Sequence, residues 1–337
     1  MDRTSITILA VSGLLVVGIF ATAQTQQGWK LKRADSSDMV QFTVERHKNG
    51  DDWSSSNVVP FARFRGLSID TIEHGGPANF EYVQDAGRLV CRGDFSWGRG
   101  SGSFTFVPNP QFPDEMRRLG YDAPSDEQVF SMMMMGIGLD YARGIKDAGL
   151  HASTKELIDL SIHGVSLKYV HETKEAGYGR LNAQDFIDMR IHGVRTEFLA
   201  DLKRTGYDLS SKEVVELAIH GVNSEYLREL KAYGLQPQSS DLVNLRIHGV
   251  SPEYLRGLKD AGYTHLFAQE MVDLRIHGVS IDFIQQSKSL GYDFTAKELT
   301  DLSIHGVNGA YLRRLRDSGL RNLNAAQIEK LKIHGVD

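Results

Sequence analysis

The sequence predicts an α+β chain in two parts. A small antiparallel β domain occupies residues 25–108, and an α-solenoid of eight two-helix repeats occupies residues 109–337. Three observations carry this expectation. The stretch "MVQFTVER" sets Val40, Phe42 and Val44 against polar neighbours, the two-residue period of a half-buried strand. The tetrapeptide "IHGV" occurs seven times. Its histidines, His163, His192, His220, His248, His277, His305 and His334, stand 28 or 29 residues apart, a spacing typical of stacked helical units.

The first element is N-terminal. "MDRTSITILAVSGLLVVGIFATAQ" has a short charged start with Arg3, an apolar run from Ile6 to Phe20, and a small-x-small site at Ala21 to Ala23. The run is short of the ~20 residues a membrane span needs. Residues 1–23 are therefore expected to be a cleaved signal peptide or, if uncleaved, an N-terminal membrane anchor. Either way the remainder is expected to be extracytoplasmic, periplasmic or secreted. The formal net charge of −5 offers no basic stripe for nucleic acid. A single cysteine, Cys91, excludes an intramolecular disulfide.

The β domain follows. "NFEYV", "RLVCRGDFSW" and "SGSFTFV" are separated by "QDAG" and "GRG", glycine-bearing breaks that suit tight hairpins. Five or six strands are expected. Trp29, Phe80, Tyr82, Phe95, Trp97, Phe104 and Phe106 are the candidate core. Cys91 is in phase with Leu89 and Phe95, as a small buried hydrophobe would be.

Each repeat carries two helix signatures. In "SPEYLRGLKDAGY", Ser251 is an N-cap and Pro252 occupies the first helical position, where a missing N–H costs nothing. Tyr254, Leu255 and Leu258 form an apolar stripe, and Gly262 ends the helix. In "STKELIDLSIHG", Ser153 and Glu156 make a capping box, repeated by Ser210 with Glu213 and by Thr295 with Glu298. Leu157, Leu160 and Ile162 are expected to be core. The glycines Gly136, Gly164, Gly193, Gly221, Gly249, Gly278, Gly306 and Gly335 are expected helix caps, with the following valine packed past the stop. The first repeat has Met135 in the histidine slot, and its "NPQF" matches "SPEY". Helices this short are marginal alone, so they must stack. Phe112, Tyr141, Tyr169, Phe198, Tyr226, Tyr254, Phe283 and Tyr311 form an aromatic series read as core. Met132 to Met135 are read as adaptable packing.

The repeated histidine has two readings. It sits in the last helical turn, where a donor or cation suits the negative helix end. Alternatively it binds metal with the carboxylate four residues earlier, as in Asp159–His163, Asp188–His192, Glu216–His220, Asp273–His277 and Asp301–His305, since i and i+4 share a helix face. Zinc takes three or four protein ligands and each repeat offers two. Asn244, Lys330 and Met135 interrupt the pattern. No HExxH, GxSxG elbow or cysteine pair occurs, so no catalytic residue and no cofactor are expected.

The unit "GVSPEYLRGLKDAGY…LVNLRIHGV" resembles the short helical repeats in the extracytoplasmic C-terminal part of some bacterial antirepressor-type membrane metallopeptidases, relatives of the β-lactam sensors. It also resembles repeats of stand-alone secreted proteins. "GRLVCRGDFSWGRGSGSFTFVPNPQF" resembles the β segment that precedes such repeats. The resemblance covers most of residues 67–337 and implies an envelope-located binding or sensing module. It transfers no peptidase activity and no functional residue. The expected function is an exported, non-enzymatic scaffold that binds another protein or peptide within an envelope sensing system. The alternative is an envelope sensor that takes a metal or small ligand on the Asp/Glu-x3-His face. Membrane contact is expected only through an uncleaved N-terminal segment.

Overall fold

The computed structural model describes residues 26–36, 38–48 and 51–336. The expected signal peptide or anchor at residues 1–23 lies outside the described residues. Two compact units emerge. One runs to Phe112 and adds Val129–Gly138; the other holds Pro113–Gln128 and the chain from Leu139 onward.

The first unit is a seven-stranded sheet: β1 (Gln26–Arg33), β2 (Met39–Lys48), β3 (Asp51–Pro60), β4 (Phe64–Arg65), β5 (Gly76–Gln84), β6 (Gly87–Ser96) and β7 (Arg99–Pro108). The spatial order is β3-β2-β1-β7-β6-β5-β4. Every pairing is antiparallel. The count exceeds the five or six strands expected because β3 is largely polar and β4 has only two residues. A six-residue helix, α1 (Ile69–His74), also escapes the sequence pattern. Ser68 caps it and Ile72 anchors it.

The sheet curls over its own inner face. Phe42 on β2 meets Phe64 on β4 and Tyr82 on β5, with ring centroids 5.2 and 5.0 Å apart, although those strands are far apart in the order. Trp29 packs edge-on against Phe80 at 4.9 Å. Gly93 and Gly102 face each other in the register. A Cβ added at either would run into the opposing backbone carbonyl, so a close approach of strands is built on bare glycine. Cys91 pairs with Phe80 and Phe104 and is fully buried, and burial pushes its thiol pKa far up.

Two expected core residues are placed differently. Ser96 pairs with Arg99, which leaves Trp97–Gly98 as a two-residue turn with φ of +52° and +74°. Positive φ at both positions is the type I′ hairpin. Trp97 is thus at a tip beyond the reach of the core, and it is 96% exposed. Phe106 is only half-buried; its ring meets Phe130 edge-on at 5.3 Å. Phe130 belongs to α3 (Asp126–Met135), whose Met132, Met133 and Met134 are buried. The Arg46 guanidinium covers Phe130, and Gln84 Nε2 donates to Met133 O at 2.9 Å.

The remaining helices are α2 (Phe112–Leu119), α4 (Leu139–Asp147), α5 (Thr154–Ile162), α6 (Leu167–Glu175), α7 (Ala183–Ile191), α8 (Thr196–Arg204), α9 (Ser211–Ile219) and α10 (Ser224–Tyr233). They continue as α11 (Ser239–Ile247), α12 (Pro252–Asp260), α13 (Ala268–Ile276), α14 (Ile281–Ser289), α15 (Ala296–Ile304), α16 (Gly309–Asp317) and α17 (Ala325–Ile333). In chain order, α2 to α17 make eight pairs. From α4 onward, even-numbered helices pack on even and odd on odd, giving the two layers of an α-solenoid. A continuous apolar core threads between the layers from Tyr178 to Ile328.

Local signals explain the register of each pair. Ser153 Oγ accepts from the Glu156 N–H while Glu156 accepts from the Ser153 N–H, and Ser210/Glu213 and Thr295/Glu298 do the same. At the other end His163 is the C-cap. Gly164 N–H donates to Ser161 O at 3.0 Å and Val165 N–H to Leu160 O at 2.9 Å. This is the Schellman pattern, which demands a left-handed residue, and Gly164 has φ of +70°. The following valines, Val165 to Val307, are buried.

Candidate interaction surface

The isoleucine of "IHGV" is not core. Successive helical residues are ~100° apart, so Ile162 lies about 200° round from Leu160, on the opposite side. Leu160 is buried. Ile162, Ile191, Ile219, Ile247, Ile276, Ile304 and Ile333 are all 52–58% exposed. One half-exposed isoleucine therefore recurs at the end of every odd-numbered helix from α5 to α17.

Polar side chains flank this row on the outward side. Three residues before each isoleucine come Asp159, Asp188, Glu216, Asn244, Asp273, Asp301 and Lys330. Seven before stand Lys155, Gln184, Lys212, Ser240, Gln269, Lys297 and Ala326. A further acidic row sits three residues into each helix, at Glu156, Asp185, Glu213, Asp241, Glu270 and Glu298, with Gln327 in the last. The outward side is thus acidic beside an aliphatic line.

Four of the five carboxylates proposed as metal ligands are engaged away from their histidines. Asp159 is held by Lys155 Nζ at 2.6 Å and Asp301 by Lys297 Nζ at 2.6 Å. Asp188 accepts from Gln184 Nε2 at 2.7 Å and Asp273 from Gln269 Nε2 at 2.8 Å. Each pairs one turn back, the direction in which helical side chains lean. Among the described residues no group of three or more His, Cys, Asp or Glu is placed to hold a metal ion.

The histidines act through their backbone. Each is a C-cap whose N–H closes the last turn, as in His248 N to Asn244 O at 3.1 Å. Their rings are exposed or half-exposed. Among the described residues, the one ion pair of a repeat imidazole is His305 Nε2 with Glu329, at 3.0 Å. The expected side-chain bond to helix-end carbonyls does not form.

The aromatic series is core with one polar task. Tyr169 Oη donates to Val194 O at 2.9 Å and Tyr254 Oη to Val279 O at 2.9 Å, so these two phenols tie their repeats to the next "IHGV" turn, whereas the Tyr226 Oη is buried without a partner. Burial pushes the Tyr169 phenol up to about 12, which keeps it a donor. The residue before the isoleucine completes the joint. Arg190, Arg246 and Arg275 lie over the rings of Tyr169, Tyr226 and Tyr254 at 5.0, 4.9 and 4.8 Å. The same guanidiniums stand beside Gly164, Gly221 and Gly249 of the preceding turns. Cations there meet the negative ends of the preceding helices.

Crevices open where even-numbered helices lead into odd ones. One of about 500 Å³ is lined by Lys174, Tyr178, Arg180, Lys203, Asp208 and Ser211. Another of about 590 Å³ is lined by Tyr292, Phe294, Glu298, Arg316, Arg321 and Asn322. Among the described residues no helix is long and apolar enough to cross a membrane. Comparison with protein-family models, with curated proteins and with solved structures finds no match.

Proposed function

We propose that the chain is an exported, non-enzymatic interaction scaffold whose outward odd-helix surface binds another protein or peptide. The observation that carries this is the seven-fold row of half-exposed isoleucines. Single exposed aliphatics are ordinary on any surface, but half-exposed isoleucine recurring in the same slot of seven successive repeats, rimmed by polar groups, is not scattered at random and suits an interaction site. Isoleucine in that slot contributes little to the core of its own repeat, so binding gives it a reason that folding does not. Repeat arrays present such lines by construction. Export rests on the signal-like residues 1–23, and the resemblance of the repeat to those of envelope sensors points the same way.

The test is a photocrosslinking residue placed at Ile247, with a control at Arg228 on the exposed side of α10. Adducts specific to Ile247 in envelope extract are expected. Identical adduct patterns at both sites would refute the surface assignment.

A further inference from the structure

We propose that this surface takes an extended peptide in a polyproline II conformation, with an aliphatic residue at every third position and lysine or arginine between. The inference deepens the proposed function and rests on it. The first argument is pitch. Helices packed side by side lie ~8–10 Å apart, so the isoleucines recur at about that interval. A polyproline II chain has three residues per turn and rises ~3.1 Å per residue, so one edge repeats every ~9.3 Å. A β-strand repeats one face every ~6.8 Å and falls out of step within two repeats. An α-helix returns near the same face after seven residues, a rise of ~10.5 Å, and its apolar edge drifts ~20° each time.

Backbone chemistry adds a second argument. The Schellman closure of α5 uses the carbonyls of Asp159, Leu160 and Ser161 and leaves those of Ile162 and His163 outside the cap; at α13 the His277 carbonyl is taken by Ser303 Oγ at 2.7 Å, so the acceptor offered there is the Ile276 carbonyl. A polyproline II ligand has no internal hydrogen bonds, so non-proline N–H groups are free to donate there. An α-helical ligand has already used its own.

Charge supplies the third. The carboxylate rows beside the isoleucines outnumber the lysines among them. Glu216, Asp188 and Asp273 have no lysine or arginine ion partner among the described residues. The arginines of the same helices are turned onto tyrosine rings. A basic ligand is therefore complementary.

The test uses the full chain and fluorescence anisotropy with labelled synthetic peptides. Six copies of Leu-Pro-Lys are compared with a scrambled peptide of the same composition, and with a lysine-rich helical peptide bearing leucine at every seventh position. The period-three peptide is expected to bind at least tenfold tighter than either, with affinity falling as salt rises. Covering about 55 Å² of apolar surface per isoleucine is worth roughly tenfold in affinity. The triple variant Ile219→Ser, Ile247→Ser, Ile276→Ser should therefore lose at least ~100-fold. Far-UV circular dichroism of that variant should be unchanged, since the three side chains are half-exposed. Equal binding of the scrambled or helical peptide, or an unchanged triple variant, overturns the ligand assignment. So does sedimentation showing a self-dimer that the triple variant abolishes, because the occupant is then a second copy. In those cases Ile247-specific crosslinks would still uphold the scaffold reading; without them both fall.

Discussion

Replacing Gly249 with valine should destabilise the array far more than replacing its neighbour His248 with glutamine. Gly249 has φ of +74°. A β-branched residue held in the left-handed region costs about 1–2 kcal/mol. A Cβ at this position would also stand 3.1 Å from Arg275 Nη2 and 3.6 Å from Arg275 Nε. The guanidinium must then shift from the Tyr254 ring, 4.8 Å away, which forfeits about 0.5–1 kcal/mol of cation–π attraction. The expected total is about 1.5–3 kcal/mol. His248 contributes to its turn through its backbone N–H, so His248→Gln should stay within about 0.5 kcal/mol. Urea unfolding followed by circular dichroism gives the ranking, with hydrogen exchange on α13 as a local readout, since repeat arrays can unfold in parts. An Arg275→Ala background should shrink the Gly249→Val cost if the steric share is real. A larger loss for His248→Gln would refute the reasoning.

Four further outcomes follow from the same geometry. Tyr254→Phe should cost about 1–2 kcal/mol by orphaning Val279 O, whereas Tyr226→Phe should be near neutral because its buried Oη has no partner; paired melts compare them. Cys91 should resist a thiol reagent in the native state and react only as the sheet unfolds, since it is fully buried and its thiolate is disfavoured; fast native labelling would contradict this. The Glu213 carboxylate is held below its ordinary value of 4.5 by the Ser210 backbone N–H and then by the Ser210 hydroxyl. Its contribution is therefore present above that value and lost as pH falls through the lower folded one; acid melts of Glu213→Gln should show a shallower decline. Trp97→Asn should stabilise the β6–β7 hairpin by about 0.5–1 kcal/mol, because asparagine suits the first position of a type I′ turn better than tryptophan; a lower melting temperature would count against that turn assignment.

The repeat was legible because its signals are local. Capping boxes, the Pro252 start and the glycine stops each act within a few residues, so Ser153, Glu156 and Gly164 could be placed from the sequence. The candidate surface was not legible, although the arithmetic for it was available. Ile162 follows Leu160 by two residues, a strand-like spacing inside a helix, and hydrophobicity alone drew it inward. Trp97 misled for a related reason: aromatic bulk suggests core, but the Ser96–Arg99 pairing fixes it at a tip. Strand β3 stayed hidden because "SSSN" has neither alternation nor β-branching, and its place depends on partners distant in the chain.

The joints between repeats are not equivalent. Where the even helix offers Tyr169, Tyr226 or Tyr254, an arginine closes over it; where it offers Phe198, the matching slot is Ala218. No side chain lies near the bare Cα of Gly193 at that joint, and at the other end of α7 the Tyr178 Oη is buried without a partner. The crevice between Lys174 and Ser211 opens beside Tyr178, at that far end. Ser211 Oγ still reaches Asp185 across it at 2.7 Å. The Phe283 joint also lacks an arginine, but Ser303 in its slot donates from Oγ to His277 O at 2.7 Å, a tie that Ala218 cannot make. In a series of springs, strain gathers where the ties are fewest, and the Phe198 joint divides the isoleucine row into two members before it and five after. A ligand spanning all seven would have to load that spring, while one held by the last five would leave it slack.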